Sequence, residues 1–481
     1  MTKTLFPTLK ILSNQQAIIS AAYLICIGVA FLCGESTMPF VYSIAASSSF
    51  AIIFSLLTRG ADINKPTDRR GAFLTVSMSW LSLSLSGACP YLFSGAIPHF
   101  VDAFFESASG FTTTGSSILI DIEALPRSIL FWRSMTHWIG GIGIIVLVIL
   151  VMPKMRLGGN HLFSMESSLQ EKISPKIKSV GQKLLVIYLS LTLLETVFLL
   201  LGGMNLFESV THAFGTVATG GFSPKNDSIA GYSPYIQYVI MAFMFLAAVN
   251  FSIYYFIVAG GWKKVFKNDE LKFYVGVTVV LGLVITFILF YETDKGLEES
   301  FREAFFQVVS TISCTGFASA DYLLWPQIGF VLIFLMMFLG GSTGSTTGGI
   351  KMGRHLVMYK SIIKQFKQLR SPNGVFNISL NGKTLDSDSS TSVLTFIVLY
   401  MVVFVVGSLI VMASGLDVVS AASAVATCMA GIGPGLGSVG PTSNFAHIPE
   451  ITKIILPIIM IIGRLEIYTF LILFSKTYWK A

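Results

Sequence analysis

Four stretches of the sequence place glycine among small and hydroxyl-bearing residues, each directly after a short, moderately apolar run. The first reads Ala103-Phe-Phe-Glu-Ser-Ala-Ser-Gly-Phe-Thr-Thr-Thr-Gly115, and the third Ala304-Phe-Phe-Gln-Val-Val-Ser-Thr-Ile-Ser-Cys-Thr-Gly316. Ala-Phe-Phe stands at the same distance before the glycine in both. The second ends Thr216-Val-Ala-Thr-Gly-Gly221-Phe-Ser, and the fourth Ala426-Thr-Cys-Met-Ala-Gly-Ile-Gly433-Pro-Gly. In the fourth, the counterpart of the aligned glycine is either Gly433 or Gly431. Such stretches suit one chemistry. A dehydrated potassium ion needs a ring of oxygens in place of its water, and backbone carbonyls can supply it. Carbonyls that all face one axis need dihedrals that glycine adopts without steric cost. None of the four stretches around the aligned glycine carries a carboxylate, so a carbonyl filter is favoured over an Asp/Glu ring.

Two further features lie inside apolar sequence. Residues 340–349, Gly-Gly-Ser-Thr-Gly-Ser-Thr-Thr-Gly-Gly, interrupt an apolar run that is otherwise too short to span a bilayer. Non-helical backbone at that depth must be buried in protein or line water. Arg464 sits far from both ends of the run 454–474, where a lone charge costs several kcal/mol unless it meets water or a partner. Glu466, two positions away, points elsewhere on a helix and is no local partner. Lys351 and Arg354 read as inside anchors. His137 and His212 read as packed or hydrogen-bonded, with His212 bracing the second stretch. Asp102, Glu208 and Glu303 read as caps at the outer ends of short helices. The pattern Gly340-Gly-Ser342-Thr-Gly344 matches a hydrolase nucleophile elbow, but that motif needs a strand before it. There is no H-E-x-x-H or Walker A motif, so the chain reads as a non-enzyme with no organic cofactor.

The elements that must position these residues are membrane spans. Of the 481 residues, 53% are hydrophobic and only 12% charged, which excludes a soluble fold. Mean hydropathy is +0.74. Apolar runs near 15–34, 38–58, 73–95, 129–152, 183–203, 235–260, 271–291, 327–350, 392–414 and 454–475 predict ten crossings. With the N-terminus inside, most of the 32 basic residues fall on the inner side, including Arg59, Lys65, Lys154, Arg156, Lys172, Lys176, Lys263 and Lys364. Both termini are then cytoplasmic. The net charge of +7 reflects this topology and gives no reason to expect nucleic acid. Segments 101–118, 206–223, 302–318 and 417–437 lie outside and have the shape of re-entrant loops. The expected fold is an all-α polytopic membrane protein. Four span–pore helix–filter–span repeats surround one pseudo-fourfold pore, preceded by two extra helices. The divisions fall at 1–70, 71–155, 156–265, 266–371 (with the Gly-rich loop) and 372–481. A single Gly/Ser/Thr stretch would read as helix packing; four at equivalent positions do not. The alternative is a secondary transporter with re-entrant hairpins and alternating access, but such folds show two repeats, usually inverted.

The motifs Phe111-Thr-Thr-Thr-Gly115, Gly220-Gly221-Phe-Ser223, Gly316-Phe317, Gly433-Pro-Gly-Leu-Gly437, Gly340-Gly-Ser-Thr-Gly344 and Gly463-Arg464-Leu-Glu466 together resemble the Trk/Ktr/HKT superfamily of potassium transporters. The two additional N-terminal spans look most like its bacterial TrkH branch. The resemblance implies filter carbonyls from Thr113, Thr114 and Gly115, from Thr219, Gly220 and Gly221, from Cys314, Thr315 and Gly316, and from Gly431, Ile432 and Gly433. Cys314-Thr315 departs from the small or hydroxyl residues usual there, and Met429-Ala430 stands where polar residues are unsurprising. The resemblance also implies a gate made of an intramembrane loop, with Gly340, Gly341, Gly344, Gly348 and Gly349, and of Arg464 projecting into the pore below the filter. Potassium is the implied transported ion, since glycine stands in all four filters. The implied setting is the bacterial inner membrane, among lipid, as a homodimer. A cytosolic nucleotide-binding regulatory subunit of the TrkA type would meet basic inner loops such as 360–370. Channel-like flux and proton- or sodium-coupled transport both remain open at this stage.

Overall fold

The structure, a computed structural model, describes residues 2–58, 69–146, 177–258, 260–476 and 478. Several inner basic residues (Arg59, Lys65, Lys154, Arg156, Lys172, Lys176, Lys480) lie outside the described residues, as do the end of the run 129–152 and the division at 155/156.

The chain is helical and repeats one order of elements. A long apolar helix is followed by a short, buried helix, then by irregular backbone, then by a second apolar helix. The long members are Arg70–Ser94, Gly181–Leu201, Asp269–Glu292 and Ser387–Ala413. The short ones are Phe100–Phe111, Leu206–Val217, Leu297–Ile312 and Val418–Ala430. Two apolar helices, Phe6–Cys33 and Met38–Leu57, precede the series and pack on each other and on its first long helix. Polar bonds at that contact replace a hydrophobic drive that lipid does not provide. Gln16 donates to Ser82 Oγ at 2.8 Å and accepts from Ser86 Oγ at 2.7 Å.

The helix starts follow from their capping residues. Asn205 accepts from the Glu208 amide, Asn268 from Leu271 and Asp417 from Ser420. The long helices turn large apolar side chains outward, such as Leu32, Val398 and Leu409, as lipid requires. The short helices bury most of their residues, and their exposed ones, such as Leu206, Leu297 and Val418, cluster at the N-terminal ends.

The ten apolar runs expected to cross are not all continuous helices. Among the described residues, six helices are long and apolar enough to span, or eight if each bent pair is one pass. The run 235–260 breaks into Pro234–Ala247 and Phe251–Val258, bent by 95°, and the run 454–475 into Glu450–Arg464 and Tyr468–Phe474, bent by 111°. Of the run 327–350 only Gln327–Met336 is helical. Arg127–Val146 reaches the edge of the described residues. The all-α expectation also misses one hairpin, Ile378–Leu380 paired antiparallel with Lys383–Leu385. Its turn, Asn381-Gly382, has both residues at positive φ (49° and 77°), the form that matches strand twist.

Candidate functional site: a ring of four glycine turns above a buried loop

Each short helix stops in the same way. The residue after its last turn takes a left-handed conformation: Thr113 (φ 52°), Thr219 (55°), Cys314 (55°) and Gly431 (72°). Two residues on stands a glycine, again left-handed: Gly115 (84°), Gly221 (79°), Gly316 (84°) and Gly433 (108°). The middle amide turns back onto the helix, from Thr114 to Ser109, Gly220 to Gly215, Thr315 to Ser310 and Ile432 to Thr427. The shared dihedrals fix the fourth register: Gly433 is the counterpart of the other three glycines, and Gly431 matches Thr113.

The four turns close on one another in chain order. A Cβ on Gly115 would overlap the Gly220 carbonyl, one on Gly221 the Thr315 carbonyl, and one on Gly316 the Ile432 carbonyl. On Gly433 it would stand 2.8 Å from the Thr114 carbonyl, which completes the circle. All twelve residues 113–115, 219–221, 314–316 and 431–433 therefore meet in one ring. The short helices end there, so their partial negative C-termini face it.

A half-open cavity of about 180 Å3 touches the ring, lined by Gly115, Gly221, Gly316 and Gly433 and by Arg133 and Lys225. Partial burial alone would lower the Lys225 pKa. Glu123 at 3.4 Å and Glu208 at 3.7 Å more than offset that and raise it. Asp102 pairs with Lys453 at 2.8 Å and Glu303 with Lys295 at 2.5 Å. Asp102 and Glu208 stand in the first turns of their short helices, as expected, and each also has a lysine partner; the reading of Glu303 as a cap is corrected, since it lies well inside Leu297–Ile312.

Beneath the helix ends lies the Gly-rich loop. A Cβ on Gly348 would overlap the Ala430 carbonyl, and one on Gly340 the Gly348 carbonyl. Gly341 packs on Ala248, and the Ser342 amide donates to the Ala248 carbonyl at 2.8 Å. Gly344 and Gly349 are left-handed, and the Gly344 carbonyl accepts from Phe251 N at 3.2 Å. Thr346 Oγ1 donates to the Val217 carbonyl at 3.2 Å, and Cys314 Sγ lies 4.0 Å from the Leu339 carbonyl. The loop thus abuts the second, third and fourth helix ends. No strand runs into Ser342, so the hydrolase pattern is a coincidence of composition.

Arg464 is buried and donates Nη1 to the Thr346 carbonyl at 2.7 Å. Its Nε and Nη2 have no partner among the described residues. Glu466 turns away, as its spacing predicts, and pairs with Arg354 at 2.5 Å. Lys351 donates to the Thr347 carbonyl and, at 3.0 Å, to its hydroxyl. Reading Lys351 and Arg354 as inside anchors is therefore corrected: both are buried and hold the loop or the last helix.

A profile of the TrkH family, described as cation transport protein, matches residues 41–480. The chain belongs to the TrkH family. Similar relatives are the Trk system potassium uptake protein TrkH of Salmonella typhimurium, 37% identical over 421 residues (85% of this chain, 86% of the relative), and that of Escherichia coli K12, 36% identical over 419 residues (the same shares). The potassium transporter TrkH from Vibrio parahaemolyticus, a crystal structure, superposes with a TM-score of 0.89 at 31% identity, over 99% of both chains.

Several residues of this TrkH-family site escape a reading of motifs. Arg133 and Glu106 form a fully buried ion pair at 2.6 Å. Arg133 also donates to the Ser223 carbonyl at 2.8 Å and lies over the Phe222 ring, while Glu106 accepts from Ile118 N at 2.9 Å. Together they tie the first turn's exit to the second's. The available signal was two opposite charges in apolar segments. His212 braces the second turn as expected, bonding the Glu208 carbonyl at 2.8 Å and Ser223 Oγ at 3.0 Å. His137 packs on Phe222 and against Gly220, and neither ring nitrogen has a partner among the described residues. Glu270 accepts from Thr343 N at 2.6 Å, Thr343 Oγ1 at 2.9 Å and Gly353 N at 2.8 Å, so it clamps both sides of the loop.

Proposed function

We propose that the protein takes up potassium across the bacterial inner membrane through the carbonyl ring, with both termini cytoplasmic. The single observation that carries this is the closure of four like turns in chain order, each glycine facing the middle carbonyl of the next. A ring of carbonyls replaces the hydration shell of a monovalent cation, and the relatives of similar length are potassium uptake proteins. The units 71–155, 156–265, 266–371 and 372–481 are then four pore repeats behind the segment 1–70. The loop 340–349 is the gate. Arg464 adds a positive charge beneath the ring, where it repels a cation and holds the loop through Thr346. The chain acts as pore subunit of a Trk-type system, as a homodimer, under a TrkA-type nucleotide-binding subunit. Its role is transport without catalysis, and it needs no organic cofactor.

The test is rubidium-86 uptake into proteoliposomes, with competing potassium or sodium, for the wild type and Arg464→Ala. The expected result is block by potassium but not sodium, and faster uptake in the variant. Unchanged uptake in Arg464→Ala removes the arginine from the gate. Uptake blocked equally by both cations removes the selective ring.

A further inference from the structure

Turns one and three carry a brace that turns two and four lack. The Thr112 hydroxyl stands 2.8 Å from that of Thr114, and the Ser313 hydroxyl 2.7 Å from that of Thr315. All four side chains are buried. In turns two and four the corresponding residues are Ala218 with Gly220 and Ala430 with Ile432, so no such pair can form.

The direction of these bonds follows from counting protons, since a hydroxyl has one to give. Thr112 donates its proton to the Ala108 carbonyl at 2.6 Å, and Ser313 donates to the Ser310 carbonyl at 3.2 Å. Both must then accept within their pairs, and Thr114 and Thr315 donate. The helix end holds the first hydroxyl and the first holds the second. The second belongs to the residue whose carbonyl meets the neighbouring glycine: Thr114 O faces Gly433, and Thr315 O faces Gly221. In turn two the His137 ring fills the space beside Gly220 instead, and in turn four Ile432 is buried.

We infer that Thr112 and Ser313, which lie outside the ring, are positioning residues for selection between alkali cations. In the chain-order circle they belong to opposite turns, so together they hold two facing carbonyls apart. A ring held open suits a larger, weakly hydrated cation; one free to contract also serves a smaller cation. This rests on the carbonyl ring being the selective site.

The experiment is dual-isotope uptake, rubidium-86 against sodium-22, by the full chain in proteoliposomes. Thr112→Val combined with Ser313→Ala removes both acceptors at nearly constant volume. The sodium-to-rubidium ratio is expected to rise about fivefold, the change one ordinary hydrogen bond supports, while rubidium uptake persists. Thr112→Ser with Ser313→Thr keeps both hydroxyls and should restore the wild-type ratio. An unchanged ratio in the folded double variant overturns the inference. If the double variant does not reconstitute, the two single variants are read the same way, and an unchanged ratio in both overturns it. A wild type with no preference between the isotopes removes the selective ring itself, which is a different failure.

Discussion

At the residue scale, the ring makes unequal demands on its glycines. Gly316 is left-handed, and a Cβ there would overlap the Ile432 carbonyl. Gly433 is left-handed, and its Cβ would stand 2.8 Å from Thr114 O and 3.0 Å from the carbonyl carbon of Gly115. Gly431 is left-handed too, but its Cβ would meet only Thr113 O at 3.7 Å, an ordinary contact. At the matching positions Thr113, Thr219 and Cys314 already carry side chains in that conformation. Gly431→Ala therefore costs only the left-handed penalty, about 1–2 kcal/mol, and keeps rubidium uptake. Gly316→Ala and Gly433→Ala should abolish it, because backbone cannot move aside as a flexible side chain can. Uptake and thermal unfolding of the three variants check this; a dead Gly431→Ala beside an active Gly433→Ala reverses the register. A paired substitution probes the second turn. Gly220→Ala collides with the His137 ring, so it should lose uptake alone and regain part of it with His137→Ala.

At the element scale, the loop is held from three sides: by Glu270 on one long helix, by Lys351 at the start of Met352–Arg370, and by Arg464 at the end of Glu450–Arg464. Glu270→Ala strands two amides and a hydroxyl at about 1–3 kcal/mol each if they stay dry. The expected outcome is a lower unfolding temperature and raised basal rubidium flux; Glu270→Gln, which keeps an acceptor, should fall between. The short helices were legible in the sequence because each ends in glycine, the first three among hydroxyls, and the loop because ten residues without an apolar side chain cannot be a lipid-facing helix. The bend in the last helix was not legible. Neither Pro nor Gly stands at its break; instead Glu466 (φ 56°) and Ile467 (φ 52°, ψ −58°) take positive φ, and Ile467 centres a γ-turn in which Tyr468 N donates to the Glu466 carbonyl, unusual for a β-branched residue. What sustains the break is remote in sequence: Arg354 bonds Glu466 and lies over the Phe396 ring. Pairing across that separation leaves no local pattern. Arg354→Met leaves Glu466 without its partner, and the loss should reach about 3 kcal/mol at most, since both side chains keep some exposure. Pairing it with Glu466→Gln should recover part of the stability; additive losses in the two single variants would mean the ion pair does not sustain the break.

At the scale of the whole molecule, orientation is set by charge outside the apolar helices. The mouth side carries Asp121, Glu123, Lys225 and Asn226, knitted by bonds such as Asn226 Nδ2 to Asp121 Oδ1 at 2.9 Å. The loop side carries Met352–Arg370, with Lys367 and Arg370 in its last turn, and the hairpin 378–385 docked on it. Basic residues favour the cytoplasmic side because their transfer across the membrane is disfavoured. On the proposed orientation the cavity above the ring lies outside and Met352–Arg370 inside. Single cysteines decide the matter in a background with Cys33, the exposed native cysteine, and half-buried Cys89 replaced by serine. Asn226 and Gln368 are both exposed, so neither label depends on opening the fold. A membrane-impermeant maleimide on intact cells should mark Asn226→Cys and spare Gln368→Cys, and inside-out vesicles should reverse the pattern. The opposite result would turn the molecule over. It would leave the ring and its carbonyls intact, but the Gly-rich loop and Arg464 would then lie on the outer side of the ring, and a cytosolic partner could no longer reach the helix that follows the loop.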